Sequence, residues 1–336
     1  MLRCTASMYK ETMSQIRVEI RRPPEPPTRK QALKLFVLAA AGLFASSFAG
    51  ALLPQMNPDA RMLLLNALYY LIFLGLPCFM FLRKGPGKPE SARPNPISFF
   101  AAFFIVVLAV LSVFFVNDIL VLWSIPFQKL GFNVNASGLA VPTTRAGLTL
   151  CIVYAAVLPG IFEEFLFRGM VLPAFEKEGT RRAIRFSSLL FALLHGSVVG
   201  LPGQLLLGML IAELVICCDS IYAGLIFHTA YNAAAVLIQF YQTAGDPAAA
   251  VPVEDYFAAI GGWGGVVTLL ISILFTGAML RICLRTFVLR ARLSGIVIRP
   301  QQPRIPLAKG EKALLAVGIV MVALLYAMDI FAMLTM

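Results

Sequence analysis

Charge is what this sequence has least of. Asp, Glu, Lys and Arg together make up 13% of its 336 residues, against about 25% in a soluble protein. So little charge excludes an ordinary soluble domain. Histidine is scarcer still, with only His195 and His228. The six cysteines, Cys4, Cys78, Cys151, Cys217, Cys218 and Cys283, show no metal-ligand spacing. Most lie in or beside apolar stretches, so they read as small buried hydrophobes with no disulfide framework. There is no internal repeat. No alternation of apolar and polar residues is present, which excludes a β-barrel. The first thirty residues lack the apolar core of a signal peptide.

What is there is hydrocarbon. Apolar residues reach 59%, in runs of about twenty as a spanning helix requires. The fold class is all-α, a polytopic transmembrane helical bundle of about eight or nine spans. Six segments are clear: Leu35 to Leu53, Met62 to Leu82, Ile97 to Val116, Tyr222 to Phe240, Val266 to Leu280 and Ala313 to Met333. Three more fill the middle: Leu148 to Phe175, Ile184 to Val199 and Leu205 to Cys217. The first of these is interrupted by Pro159-Gly160, and its last turns suit the interface. The chain divides into a basic, Pro-rich tail at 1–32, expected to be disordered, and spans over 33–145. A core follows at 146–240, then further spans over 241–336 with a basic loop at 281–312. Within the tail, Pro23-Pro24-Glu25-Pro26-Pro27 reads as a stiff linker.

The net charge of +11 matters for its placement. Arg17, Arg21, Arg22, Arg29 and Lys30 precede the first span. Arg83, Lys84, Lys88 and Arg93 follow the second, and Lys177, Arg181, Arg182 and Arg185 follow the Pro159 segment. Eight basic residues lie between Arg281 and Lys312. The other side has only Arg61, Lys129 and Arg145, with the acidic group Asp246, Glu254 and Asp255. By the positive-inside rule the N-terminus is cytoplasmic and the C-terminus outside. The basic loops then set topology and touch anionic membrane lipid; no nucleic-acid-binding signature accompanies them.

Against this background a few polar residues stand out, because ionisable groups in hydrocarbon are costly and are functional candidates by default. They are Glu163, Glu164 and Arg168, then His195 after Phe191, then His228 and Asn232. Counting 1.5 Å per helical residue from the charged ends puts Glu163 roughly 21 Å deep and His195 roughly 20 Å deep. The same count puts His228 and Asn232 about 14 to 20 Å deep. Three segments thus deliver polar groups to one layer. Residues four apart share a helix face, so His228 pairs with Asn232, Phe191 with His195, and Glu164 with Arg168. The last pair reads as structural, with Arg168 also able to cap carbonyls. Glu163, about 100° around the helix, is left as the less satisfied carboxylate. Pro159 lacks an N–H and should bend the helix and free a carbonyl there.

A desolvated carboxylate is a better base than a hydrated one. Glu163 and His195 could hold one water and take its proton as it attacks a peptide carbonyl. His228 and Asn232 could donate to the oxyanion. Two His and a Glu (Glu163, His195, His228) would also suit a catalytic zinc with an open position, and the sequence leaves both roles open. Glu213 is a separate buried carboxylate outside this set. Asn66 and Asp329 read as interhelical hydrogen-bonding residues. Gly200, Gly203 and Gly208 suit a tight turn and close helix packing.

The pattern Glu163-Glu164-x-x-x-Arg168, Phe191-x-x-x-His195 and His228-x-x-x-Asn232 resembles the CPBP family of intramembrane proteases, the CAAX-processing type. The resemblance covers about residues 148 to 240. It implies about eight helices around a conical cavity, a water-activating Glu163 and His195, and oxyanion donors His228 and Asn232. Glu164, Arg168 and Phe191 support them. It implies a metal-free glutamate mechanism with no cofactor, zinc being the alternative. Its substrates would be peptides or lipidated proteins, since eukaryotic relatives remove a tripeptide after a prenylated Cys. The small size suits a bacterial plasma-membrane member. Where relatives often carry Thr, Lys or Arg before the last motif, this chain has Cys217-Cys218-Asp219-Ser220. The rival readings are a proton-coupled transporter, whose usual internal repeats are missing here, and a non-catalytic scaffold.

Overall fold

The computed structural model describes residues 26–53, 56–84, 92–134, 142, 144–243, 255–293, 295–296 and 300–335. The readings placed on Cys4, Arg17, Arg21, Arg22, Pro23 to Glu25, Lys88, Asp246 and Glu254 lie outside the described residues. Among the described residues, eight helices are long and apolar enough to cross a membrane. They are α1 (Arg29–Leu52), α2 (the helical stretch Ala60–Phe81), α3 (Phe99–Lys129) and α4 (the helical stretch Arg145–Glu178). After the shorter α5 (Thr180–Leu194) come α6 (Leu201–Cys218) and α7 (Ile221–Thr243). A one-turn α8 (Tyr256–Ala259) leads to α9 (Gly262–Leu293) and α10 (Lys309–Thr335). The protein is an all-α helical membrane bundle.

Four sequence expectations are corrected. Helix α1 starts inside the stretch read as tail, because Thr28 and Gln31 form a reciprocal capping box at its N-terminus. Helix α3 does not stop at Val116. It carries Asp118 onward because Ser272 of α9 donates to that carboxylate, satisfying it between helices. The basic stretch 281–312 is not one loop. Its first turns continue α9 to Leu293, since Arg and Leu favour helix and no breaker precedes Gly295. The fourth correction concerns Ile184–Val199, which is not a span. Fifteen-residue α5 reaches about 22 Å and ends beneath His195-Gly196, where Gly196 takes φ +61°. Much of α5 is buried inside the bundle, from Ala183 through Leu194.

Helices α5 and α6 pack against each other and return the chain to the end it came from. At that basic end Arg93 bonds Glu176 at 2.6 Å and Asp219 at 3.1 Å, and Arg29 bonds Glu178 and Glu311. Arg182 there donates to the carbonyl of Gln302. At the opposite end Lys129 pairs with Asp255 at 3.0 Å, and Asn133 N donates to Met333 O. The hydrogen bond from Lys129 holds the Asp255 carboxyl below its usual range. The described loops expected to share a side are therefore joined at one end.

Helix α4 is not a uniform α-helix. Wide π turns at Val153–Val157 and Phe165–Val171 flank the regular turns Leu158–Glu164. Such turns are rare and concentrate where function needs a side chain re-aimed.

Arg93 joins the end of α4 to the turn between α6 and α7, and Glu176 is mostly buried beneath it. Replacing Arg93→Ala should cost about 1–3 kcal/mol by leaving that carboxylate without its strongest donor. A lowered thermal midpoint in detergent, with the helical circular-dichroism signal unchanged at low temperature, is the expected reading.

Candidate active site

Glu163 and Glu164 end the regular turns Leu158–Glu164 of α4, both buried. Their fates differ. Glu164 Oε1 accepts from Arg168 Nη1 at 2.9 Å and from His228 Nδ1 at 2.9 Å, and neither carboxylate nor guanidinium has exposed surface. Arg168 Nη2 donates to Gly208 O of α6 at 2.8 Å, and its guanidinium lies 4.8 Å from the Phe191 ring centre. This is the carbonyl cap that the sequence suggested, made deep in the bundle. Glu163 Oε1 instead accepts from the Tyr70 hydroxyl at 2.8 Å, while its Oε2 has no hydrogen-bond partner.

His195 Nε2 faces that free oxygen at 3.8 Å. Its Nδ1 lies 2.8 Å from Phe191 O, which can only accept, so Nδ1 carries the hydrogen. In the neutral ring Nε2 is then a lone pair aimed at a carboxylate oxygen. Two acceptors cannot bond each other directly, and at this spacing both are within reach of one bridging water, which has two hydrogens to donate. The Phe191 ring contacts His195 at 4.7 Å and His228 at 5.7 Å between centres, so one phenyl group orients both imidazoles.

Asn232 lies one turn beyond His228 on α7. Its Nδ2 donates to Ala155 O at 2.9 Å. Ala155 is four residues before Pro159, so this is the carbonyl that proline cannot bond within the helix. The carboxamide uses one of its two hydrogens there and keeps the other. Helices α4 and α7 can meet this closely because residue 160 is Gly. A Cβ there would sit 2.1 Å from Thr229 Oγ1, beside His228.

A cavity of about 410 Å³ gathers Glu163, Phe191, His195, His228 and Asn232 with Tyr70, Tyr154, Gln204 and Tyr231. Glu164 and Arg168 stand behind this wall. A second cavity of about 500 Å³, between α1, α2 and α10, shares Met62, Asn66 and His195 with the first. Asp329 of α10 lines it and accepts from Val198 N at 2.8 Å, fixing the loop after His195. Asn66 donates back to Met62 O of its own helix, not to a neighbouring helix. Glu213 lines none of these cavities. Among the described residues, no group of three His, Cys, Asp or Glu could hold a metal ion.

Tyr70 escaped the sequence reading, since a tyrosine in an apolar run is unremarkable by composition. Its one signal is Gly75, which lets α2 approach α4: a Cβ there would lie 2.5 Å from the Phe162 ring.

Residues 145–234 match the family model described as Type II CAAX prenyl endopeptidase Rce1-like. This stretch runs from the start of α4 into α7 and contains all three motifs. The match supports membership of the CPBP family and points to a peptidase. No curated protein and no solved structure matches the chain.

Gly224 of α7 presses on the structural half of this centre. A Cβ there would stand 2.7 Å from Glu164 Oε2 and 2.9 Å from Val215. Glu164 cannot swing away, because Arg168 and His228 hold it. Gly224→Ala should therefore displace α7 and cost about 1–3 kcal/mol as overpacking does, read as a lower unfolding temperature with reduced activity.

Proposed function

We propose that the chain is an intramembrane endopeptidase in which Glu163, helped by His195, takes a proton from water as the oxygen attacks a peptide carbonyl. The observation that carries this reading is the free Glu163 Oε2 facing His195 Nε2 at 3.8 Å on the cavity wall. Tyr70 fixes the other carboxylate oxygen, so the free one is aimed. The new C–O bond forms as the water proton moves to Glu163. Glu163 then returns it to the amine nitrogen as the C–N bond breaks.

The second hydrogen of Asn232 Nδ2 serves the oxyanion. His228 does so only as imidazolium, because its Nδ1–H is committed to Glu164. We propose that the reaction is metal-free. The reading places the basic end in the cytoplasm of a bacterial cell and takes a peptide or lipidated protein as substrate.

Purified protein in detergent with a quenched peptide library tests the proposal. Glu163→Gln should lower kcat by roughly a hundred- to ten-thousand-fold with the fold retained. Undiminished cleavage would overturn the assignment of the base. Wild-type activity should survive strong chelators; loss on chelation and recovery with zinc would overturn the metal-free reading. Asn232→Ala should lower kcat by about a hundredfold or more while leaving KM nearly unchanged, since an oxyanion donor acts in the transition state. A change confined to KM would reduce Asn232 to its bond with Ala155.

A further inference from the structure

The two cavities that meet at His195 are not centred on the catalytic layer. Along α7 the lining runs from Phe227 to Gln239, along α2 from Met62 to Tyr70, and along α4 from Tyr154 to Glu163. In each helix this is the half that leads away from the basic end. Gln239 lies eleven residues past His228, about 16 Å further toward the opposite end and one turn short of the helix terminus. The second cavity follows the same rule, taking Leu43 to Ser47 late in α1 and Leu325 to Asp329 late in α10.

On the basic side of Glu163 the core around α4, α5 and α6 is solid, and a separate cavity of about 230 Å³ at that end, between the start of α3, the end of α6 and α9, reaches none of the site residues. Leu166, Phe167, Met170 and Val171 of α4 are buried to 1% exposure or less and pack with α5 and α6. The cause is the short α5–α6 pair: it enters from the basic end, turns at His195 to Gly200, and goes back. It fills the basic half beside α4 and, among the described residues, leaves the two cavities around His195 to the other half.

Charge says which half faces the cytoplasm. At the solid end the termini of α1, α2, α4, α5, α9 and α10 carry or adjoin Lys or Arg and the α6–α7 turn bonds Arg93 through Asp219, whereas the hollow end has only Arg61, Lys129 and Arg145 in the whole sequence. That asymmetry puts the solid end inside. We infer that the active site is entered from the extracytoplasmic side, and that its substrates are polypeptide segments presented there: the exported or outward-facing part of a membrane-anchored chain. His195 stands where the two cavities meet, so such a segment lies across it with residues on both sides of the cleaved bond. What enters rests on the protease reading above; the side of entry does not.

The test uses the full chain in a bacterial inner membrane, with its native cysteines replaced and one cysteine returned. Ala235→Cys, on the cavity wall, should react with a membrane-impermeant maleimide in intact cells. Arg285→Cys, at the basic end of α9, should react only in inside-out vesicles. Reaction of both from the same side, or of Ala235→Cys only from the cytoplasmic side, overturns the inference. So does no reaction of Ala235→Cys from either side while Arg285→Cys reacts as expected. Sealed vesicles of the two orientations then separate the claims. A quenched peptide should be cleaved by right-side-out vesicles and spared by inside-out ones; the reverse sinks the assigned side. No cleavage even in detergent sinks the protease reading, and the labelling still reports the direction of access.

Discussion

The centre depends on one carboxylate that takes no part in the proposed chemistry. Glu164 has no contact with solvent, and an unpaired charge there would cost several kcal/mol. It is tolerable because Arg168 and His228 both bond Oε1. Arg168 reaches on to Gly208 of α6 and lies on Phe191 of α5, while His228 belongs to α7. Four helices are thereby tied to a single oxygen. The neighbouring Glu163, about 100° further round α4, is carried to the cavity wall by the same turn and left with one oxygen uncommitted. Adjacent acidic residues thus divide the work: one locks the helices and the other is free to take a proton.

Much of this was written in the sequence, and the reason is cost. Polar groups in hydrocarbon are so expensive that few occur without purpose, so Glu163, His195, His228 and Asn232 could be read by scarcity and spacing alone. Pro159 also announced its effect, since a missing N–H must free a carbonyl, and Asn232 collects the one at Ala155. The less legible parts depend on contacts between segments far apart. Tyr70 is ordinary until α2 is laid against α4. The stop of α5 at Leu194 hides inside an apolar run, because the helix is buried by protein and not by lipid. The persistence of α3 past Asp118 needed Ser272, more than a hundred residues away in the chain, to satisfy the acid.

The family match spans 145–234 and therefore α4 to most of α7. Two groups that set the geometry come from outside it. Tyr70 holds one oxygen of Glu163, and Asp329 of α10 holds the backbone of the loop behind His195. In the proposed reading the motif-bearing helices supply the reacting groups, while the flanking helices help to aim them and complete the walls of both cavities. Variation in α1, α2 and α10 can thus reshape what the site admits without touching the motifs.

The wide turns of α4 carry a further consequence for how such a chain can change. Each π turn houses a residue more than regular pitch would allow, and the pair brackets the two acids. Loss of one residue between Val153 and Val157 would let that turn relax to regular pitch while the rest of α4 stayed nearly in register, because the wide turn already spreads its extra residue over one turn. The change would be local: the carbonyls inside the turn, Ala155 among them, would point elsewhere, and Asn232 would lose its anchor. In this segment, then, a shortened gene product would gain regularity and lose a contact between helices, so the cost of an indel falls on that contact even though helical propensity would welcome it.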